Sequence, residues 1–544
     1  MRSKVSSTIA AMLLTLGLSH CASPNWPTYR YTGLRQGNQP AATALSDPTE
    51  VPSLAVRWTY TPPAGGSFYA SPIVVNKRVF IGSSAGYLYA LNASTGALLW
   101  QYPAPGHPLV GTCAGDPPPQ TYGQYGVMSS AAYFEGLVIF GAPDPDPATD
   151  SGRGSGRLWA LKESDGSLVW KSDVVAHVTG CNPGALAPEL HERIAYSSPL
   201  VFGRSVYVGV HDAGDSPIQN GKVMAVSVDT GHLIPGFSYS STSSRGGGVW
   251  NGPATDLGGV LFTTGNTRCD SAGCQGTCDA MGNPSGEPSP NRGLSIIKLD
   301  PSTGSVNWQF QAVPYCEDND PDWAAGVTVM LTSCGVLAAS VEKDGWSYAL
   351  DTTSGSCRWQ FPPTAGGSCK FPKGTNALHG DTDYKRPGAA WNDVLVINTG
   401  GEALVHDGVG AGYGRLHALN ACATDELHRV RWLVDVPHSS GSGYSIGAPT
   451  VTGGVVYVTT DEGHVVALAD PSIVPAAGYR CSDIDFVTKA TCTTAGYAWV
   501  PIPKVLADVP LDGTSAAGLR NEAAIAAGKL YVGTVGGHVY MLSP

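Results

Sequence analysis

The stretch GYLYALNASTGALLWQY, Gly86–Tyr102, decides the fold. Tyr87, Tyr89 and Leu91 alternate with Leu88, Ala90 and Asn92, which is the two-residue period of a strand. Ser94-Thr95-Gly96 reads as a turn in which glycine supplies the positive φ, and Leu98, Leu99 and Trp100 open a returning strand. The phrase returns as GRLWALKESDGSLVWKS (Gly156–Ser172) and GWSYALDTTSGSCRWQF (Gly345–Phe361). Weaker copies start at Gly221, Gly293, Gly414, Gly463 and Gly537, giving eight in all. A repeat of this kind outranks other signals, because each unit buries its apolar face only by stacking on the next.

An apolar strand precedes several copies: RVFIGSS (Arg78–Ser84), LVIFGAP (Leu137–Pro143), SVYVGVH (Ser205–His211), VVYVTTD (Val455–Asp461) and KLYVGTV (Lys529–Val535). About four short strands per unit is the composition of a propeller blade. The copy at Gly537 stops at its turn, and LAVRWTY (Leu54–Tyr60) near the N-terminus supplies the strand it lacks. The expectation is an all-β, eight-bladed β-propeller closed by an N-terminal strand, which removes an exposed sheet edge. The organisation expected is a signal segment (1–22), an N-terminal extension (23–53) and one propeller domain (54–544). The copies are unevenly spaced, so the surplus chain falls in loops on the faces of the ring.

A formal charge of −11 with only 14% charged residues argues against nucleic acid or an anionic membrane surface as partner. Arg2 and Lys4 precede an apolar run, Ile9–Leu18, with the layout of an export signal, so the expected location is periplasmic or secreted. Cys21 makes a lipid anchor at the cell envelope an alternative, although His20 before it is larger than lipobox enzymes prefer. Apart from Cys21 there are twelve cysteines, an even number that in an oxidising compartment reads as disulfides pinning long loops. Cys481 and Cys492 bracket an insert that reads as stapled. Cys269, Cys274 and Cys278 lack the C-x-x-C spacing and neighbouring histidine of a zinc knuckle. There is no C-x-x-C-H for a covalently attached haem, and no run long enough for a transmembrane helix.

The repeats, from about Arg57 to Pro544, resemble those of the pyrroloquinoline-quinone-binding β-propellers, a superfamily holding both dehydrogenases and non-catalytic scaffolds. Four segments are similar to the quinoprotein alcohol dehydrogenases, nearest the polyvinyl-alcohol-dehydrogenase-like branch. In GGGVWNGPATDLGGVLFTTGN (Gly246–Asn266) the resemblance makes Trp250 the platform beneath the quinone and Asn266 a calcium ligand. An indole offers a flat apolar face to a planar cofactor, and an amide oxygen suits a hard cation. In SSPLVFGRSVYVGVHDAGDSPIQNGK (Ser197–Lys222) it implies an acidic calcium ligand, Asp215 or its neighbour Asp212, where the family more often carries glutamate. In CEDNDPDWAAGVTVM (Cys316–Met330) it makes Asp322 the catalytic base and a further metal ligand. In SVEKDGWSYALD (Ser340–Asp351) it makes Lys343 the cation that contacts the quinone oxygens, a point charge where many relatives have a bidentate arginine. Ala324, two residues after Asp322, implies calcium rather than a lanthanide.

The function so implied is oxidation of an alcohol, small or polymeric, by hydride transfer to pyrroloquinoline quinone with Ca2+ assistance. With no haem domain, the electrons would leave to a separate acceptor such as a cytochrome c. The other reading is a non-enzymatic scaffold or lipoprotein that binds proteins or polysaccharide at the cell envelope, since a fold does not fix a function. Trp250 and Asp322 on one end of the channel would favour the enzyme, and on opposite faces the scaffold.

Overall fold

The computed structural model describes residues 24–41, 44–111, 126–180, 192–211, 220–241, 246–266, 292–311, 323, 325–342, 346–362, 369, 386–398, 414–436, 447–460, 462–482, 486–511 and 522–544. Eight four-stranded antiparallel sheets follow one another along the chain: blade 1 (73–102), blade 2 (132–171), blade 3 (200–240), blade 4 (254–311), blade 5 (328–361), blade 6 (389–436), blade 7 (450–510) and blade 8 (524–543). The fourth strand of blade 8 is Ala55–Tyr60, which pairs antiparallel with Val539–Ser543 and closes the ring as expected. First strands of neighbouring blades touch around the axis, so the fourth strands form the rim.

The rim explains the tryptophan of the repeat. Trp58, Trp100, Trp170, Trp308 and Trp359 lie on fourth strands, and each indole N–H donates to a main-chain carbonyl of the next blade, respectively Ala93, Glu163, Val228, Thr352 and Ala421, at 2.9–3.3 Å. Trp432 donates to the Asp470 carboxylate at 2.8 Å. The turn glycine is needed for the same contact: Gly96 has φ +72°, and a Cβ there would stand 2.7 Å from the Trp58 ring. A large ring is thus buried at each of these junctions with its polar edge satisfied.

Residues 24–41, part of the N-terminal extension of the sequence reading, run inside the ring. Main-chain hydrogen bonds join Trp26 to Val74, Pro27 to Tyr133, Gly33 to Thr255, Leu34 to Val329, Gln36 to Ala390, Gly37 to Val451 and Pro24 to Ala527. Seven blades are reached in this way, and the eighth by a side chain: Arg35 donates to the Pro199 carbonyl of blade 3 at 3.0 Å. Arg30 and Arg35 are 0% and 1% exposed. Arg30 forms an ion pair with buried Glu522 at 3.0 Å and donates to the carbonyls of Pro449 and Gly388. Arg35 also donates to the Pro253 carbonyl at 2.9 Å. Burial pulls the Arg35 guanidinium down to about 10 and pushes the Tyr29 hydroxyl up to about 12.

Three disulfides are described. Cys334–Cys422 ties blade 5 to blade 6, Cys357–Cys369 pins the chain that leaves blade 5, and Cys481–Cys492 staples the insert as the sequence suggests. That insert forms a hairpin, Gly478–Cys481 with Trp499–Ile502, packed on the rim of blade 6. No helix of the described residues is long and apolar enough to cross a membrane.

Candidate functional site

Strand direction sorts the connections onto two ends. In each blade the first-to-second and third-to-fourth connections share one end. The second-to-third connections and the links to the next blade share the other. Trp250 stands in the link from blade 3 to blade 4, and Asn266 follows the second strand of blade 4, Val260–Thr263, so both belong to the same end.

They are also close. Gly247 N donates to the Asn266 carbonyl at 2.7 Å, and Gly265 N donates to the Gly248 carbonyl at 2.8 Å. The link is held to blade 3 by Val249 N donating to the Val210 carbonyl at 3.0 Å. Two glycines permit this approach. A Cβ on Gly221 would fall inside the Gly247 carbonyl, and one on Gly248 would lie 3.1 Å from the His211 Cβ. Trp250 is partly exposed, and one face of its indole stacks on His211 with centroids 4.4 Å apart and planes at 27°. The buried Trp250 Nε1 has no hydrogen-bond acceptor among the described residues, although a buried indole N–H normally finds one.

Asp215, Asp212, Asp322 and Lys343 lie outside the described residues, as do Cys269, Cys274 and Cys278. Their described neighbours are at the same end. His211, the residue after strand Ser205–Val210, touches Trp250. Trp323 is fully buried between blades 4 and 5 against Tyr348, with centroids 5.5 Å apart, and its Nε1 also lacks an acceptor among the described residues. Two residues later, the Ala325 carbonyl accepts Thr263 Oγ1 of blade 4 and Ser340 Oγ of blade 5, both at 3.0 Å. Ser340 leads to Glu342, 0% exposed, at the edge of the segment that carries Lys343. Ring stacking, hydrogen bonds and short stretches of chain therefore link His211, Trp250, Asn266, Thr263, Ala325 and Ser340 across blades 3, 4 and 5. Among the described residues no three His, Cys, Asp or Glu side chains form a metal-binding group.

Sequence reasoning gave His211 no role, and no spacing motif flags it. The only signal was its place after the V-G-V strand, one residue before the acidic pair. Met128 and Ala195, with Tyr69 and Tyr196 packed on them, form a small apolar cluster in the links entering blades 1, 2 and 3.

Residues 52–232 match a family described as outer membrane protein assembly factor BamB. The chain is 24% identical over 409 residues to the quinoprotein alcohol dehydrogenase PedH of Pseudomonas putida, covering 66% of this chain and 60% of that one. It is 24% identical over 372 residues to the quinohemoprotein alcohol dehydrogenase of Comamonas testosteroni, covering 61% of this chain and 46% of the relative. The chain thus spans about half the length of these relatives. The crystal structure of the Comamonas enzyme superposes with a TM-score of 0.63 at 17% identity, covering 97% of this chain and 82% of that one. The chain is an eight-bladed β-propeller that resembles the quinoprotein alcohol dehydrogenases in sequence and in fold.

Proposed function

We propose that this chain is an exported quinoprotein that oxidises an alcohol with pyrroloquinoline quinone and Ca2+. The observation that carries this reading is the linkage from His211 to Ser340, which joins the described parts of all four segments at one end of the ring. The residues fit a planar, polar-edged cofactor. Trp250 offers an aromatic surface backed on one side, and its buried N–H lacks an acceptor among the described residues. Asn266, whose main-chain carbonyl accepts Gly247 N of the same link, carries an amide oxygen, the donor type that calcium takes.

In this reading Trp250 stacks under the quinone and Lys343 sets a positive charge beside its oxygens. Asn266, Asp215 and Asp322 hold the metal. When bound, the quinone supplies a two-electron acceptor and calcium supplies Lewis acidity. The chemistry left to the chain is proton removal: Asp322 takes the proton of the substrate hydroxyl. Electrons then leave to a separate acceptor such as a cytochrome c. Export to the periplasm or beyond follows from Arg2, Lys4 and the run Ile9–Leu18.

The test is titration of the metal-stripped protein with pyrroloquinoline quinone, with and without calcium. Saturable, calcium-dependent binding that Trp250→Ala and Asn266→Ala each weaken at least tenfold is the expected result. Asp322→Ala should lose alcohol oxidation even at quinone and calcium concentrations that saturate the site. The match of residues 52–232 to the BamB description favours a second reading, a scaffold that binds protein or polysaccharide through its faces. Absence of binding with or without calcium would select it.

A further inference from the structure

We propose that His211 is a positioning residue that fixes the plane of Trp250 for a flat ligand; the inference rests on the reading of Trp250 as the quinone platform. Three rings form a ladder at this end of the molecule: Tyr196 stacks on His211 with centroids 5.9 Å apart at 26°, and His211 stacks on Trp250 at 4.4 Å and 27°. The middle ring is the buried one, 1% exposed, whereas Tyr196 and Trp250 are both partly exposed.

His211 is held by its main chain from two directions. Its N–H donates to the Arg193 carbonyl at 2.9 Å, and its carbonyl accepts Arg193 N at 2.6 Å. The residue before it, Val210, accepts the N–H of Val249, the residue before Trp250, at 3.0 Å. The imidazole and the indole therefore ride on adjacent residues of two cross-linked segments. Gly248 lets the two segments approach this closely, since a Cβ there would lie 3.1 Å from His211 Cβ and 3.3 Å from Trp250 Nε1.

An indole on a loop is free to rotate about its side-chain torsions, and a ligand that stacks on it must overcome that freedom. A ring fixed behind it removes the freedom before the ligand arrives. His211 thus acts through Trp250 and not on the reacting atoms.

The experiment compares two fillers of similar bulk in the full chain, His211→Phe, which keeps a ring, and His211→Leu, which does not. Two readouts are taken: the dissociation constant of pyrroloquinoline quinone with calcium, and the near-ultraviolet circular dichroism of Trp250, obtained by subtracting the Trp250→Phe spectrum in each background. His211→Leu is expected to weaken the quinone about tenfold, the weight of one stacked aromatic contact, and to flatten the Trp250 signal. His211→Phe is expected to hold both near the parent values. Equal values for the parent and His211→Leu would overturn the inference, and so would an equal loss in both variants, which marks a packing defect. If the parent protein binds no quinone, the reading of Trp250 as a platform fails, and the dichroism comparison still decides whether His211 orders the indole.

Discussion

The axis of this ring and the end that carries Trp250 are built from different bonds. Along the axis, residues 24–41 reach every blade through peptide N–H and carbonyl groups and two buried guanidinium groups. At the end that carries Trp250, the connections are tied by ionisable side chains, and the indole N–H groups of Trp250 and Trp323 are buried without acceptors among the described residues. Asp144, just past the second strand of blade 2, binds Arg157 at 2.7 Å and Lys171 at 3.1 Å. Glu192 pairs with Lys222 in blade 3, and Asp435 in blade 6 binds Arg415 at 2.6 Å and Arg480 of the stapled insert at 2.7 Å. The axis is held by bonds within the chain, with Trp26 Nε1 and Arg30 Nε left buried without a partner among the described residues. The Trp250 end leaves its open donor on a partly exposed ring, where a ligand can reach it.

The difference is broken most severely at Glu522. Its carboxylate accepts both the main-chain N–H and a guanidinium N–H of Arg30, at 2.9 and 3.0 Å, and both side chains are buried. Glu522→Ala leaves a charge in the axis without its counter-ion, and removal of one partner from a buried pair costs about 3–5 kcal/mol. Calorimetry should show a large fall in melting temperature. Trp250→Ala, at a partly exposed ring, should stay within about 1 kcal/mol of the parent. A Glu522→Ala protein that melts like its parent would mean that the axial segment does not hold the ring.

Acid probes the Trp250 end. Burial raises the Asp144 carboxyl, but hydrogen bonds from Lys171, Thr149 and the Asp146 amide outweigh it, and its pKa lies below the usual range. Burial likewise opposes the ionised form of Asp435, and Arg415 and Arg480 win. A depressed folded-state pKa means that the contribution to stability is present above the unfolded value, about 4, and is lost as pH falls through the folded value. Each tie is a charge-assisted hydrogen bond worth about 1.5–3 kcal/mol. Hydrogen-exchange protection around 143–157 and 478–482 should therefore drop below about pH 4, ahead of protection in 24–41. Asp144→Asn should remove the acid step in the first region only. Simultaneous loss in all three regions would show that the axis and this end are not separately held.

The blades were legible because their chemistry is local. Alternation over Tyr87–Asn92, the turn at Ser94–Gly96 and Trp100 recur within one short phrase, and the missing strand of blade 8 announced itself as Leu54–Tyr60, of which Ala55–Tyr60 forms the strand. The path of residues 24–41 was not legible, because nothing in PNWPTYRYTGLRQGNQP is periodic and its partners lie hundreds of residues away, as with Arg30 and Glu522. Trp250 and Asn266 were found by resemblance and lie within two backbone hydrogen bonds of one another. His211 escaped because stacking depends on two connections meeting in space, which spacing along one chain does not encode.

The smallest effect is expected at Trp323. Trp170 and Trp323 are both buried, at 7% and 0% exposure, and differ in one respect. Trp170 Nε1 donates to the Val228 carbonyl at 2.9 Å, whereas Trp323 Nε1 donates to none of the described residues. Trp170→Phe loses ring volume and a hydrogen bond, and leaves a carbonyl at a blade junction without that donor. Trp323→Phe loses comparable volume but also removes a desolvated N–H, an offset of about 1–3 kcal/mol. Trp323→Phe should therefore sit near the parent in chemical denaturation, while Trp170→Phe falls about 2 kcal/mol below it. If the two cost the same, the open donor beside Asp322 is satisfied in solution, and the contrast with the axis narrows to Trp250 alone.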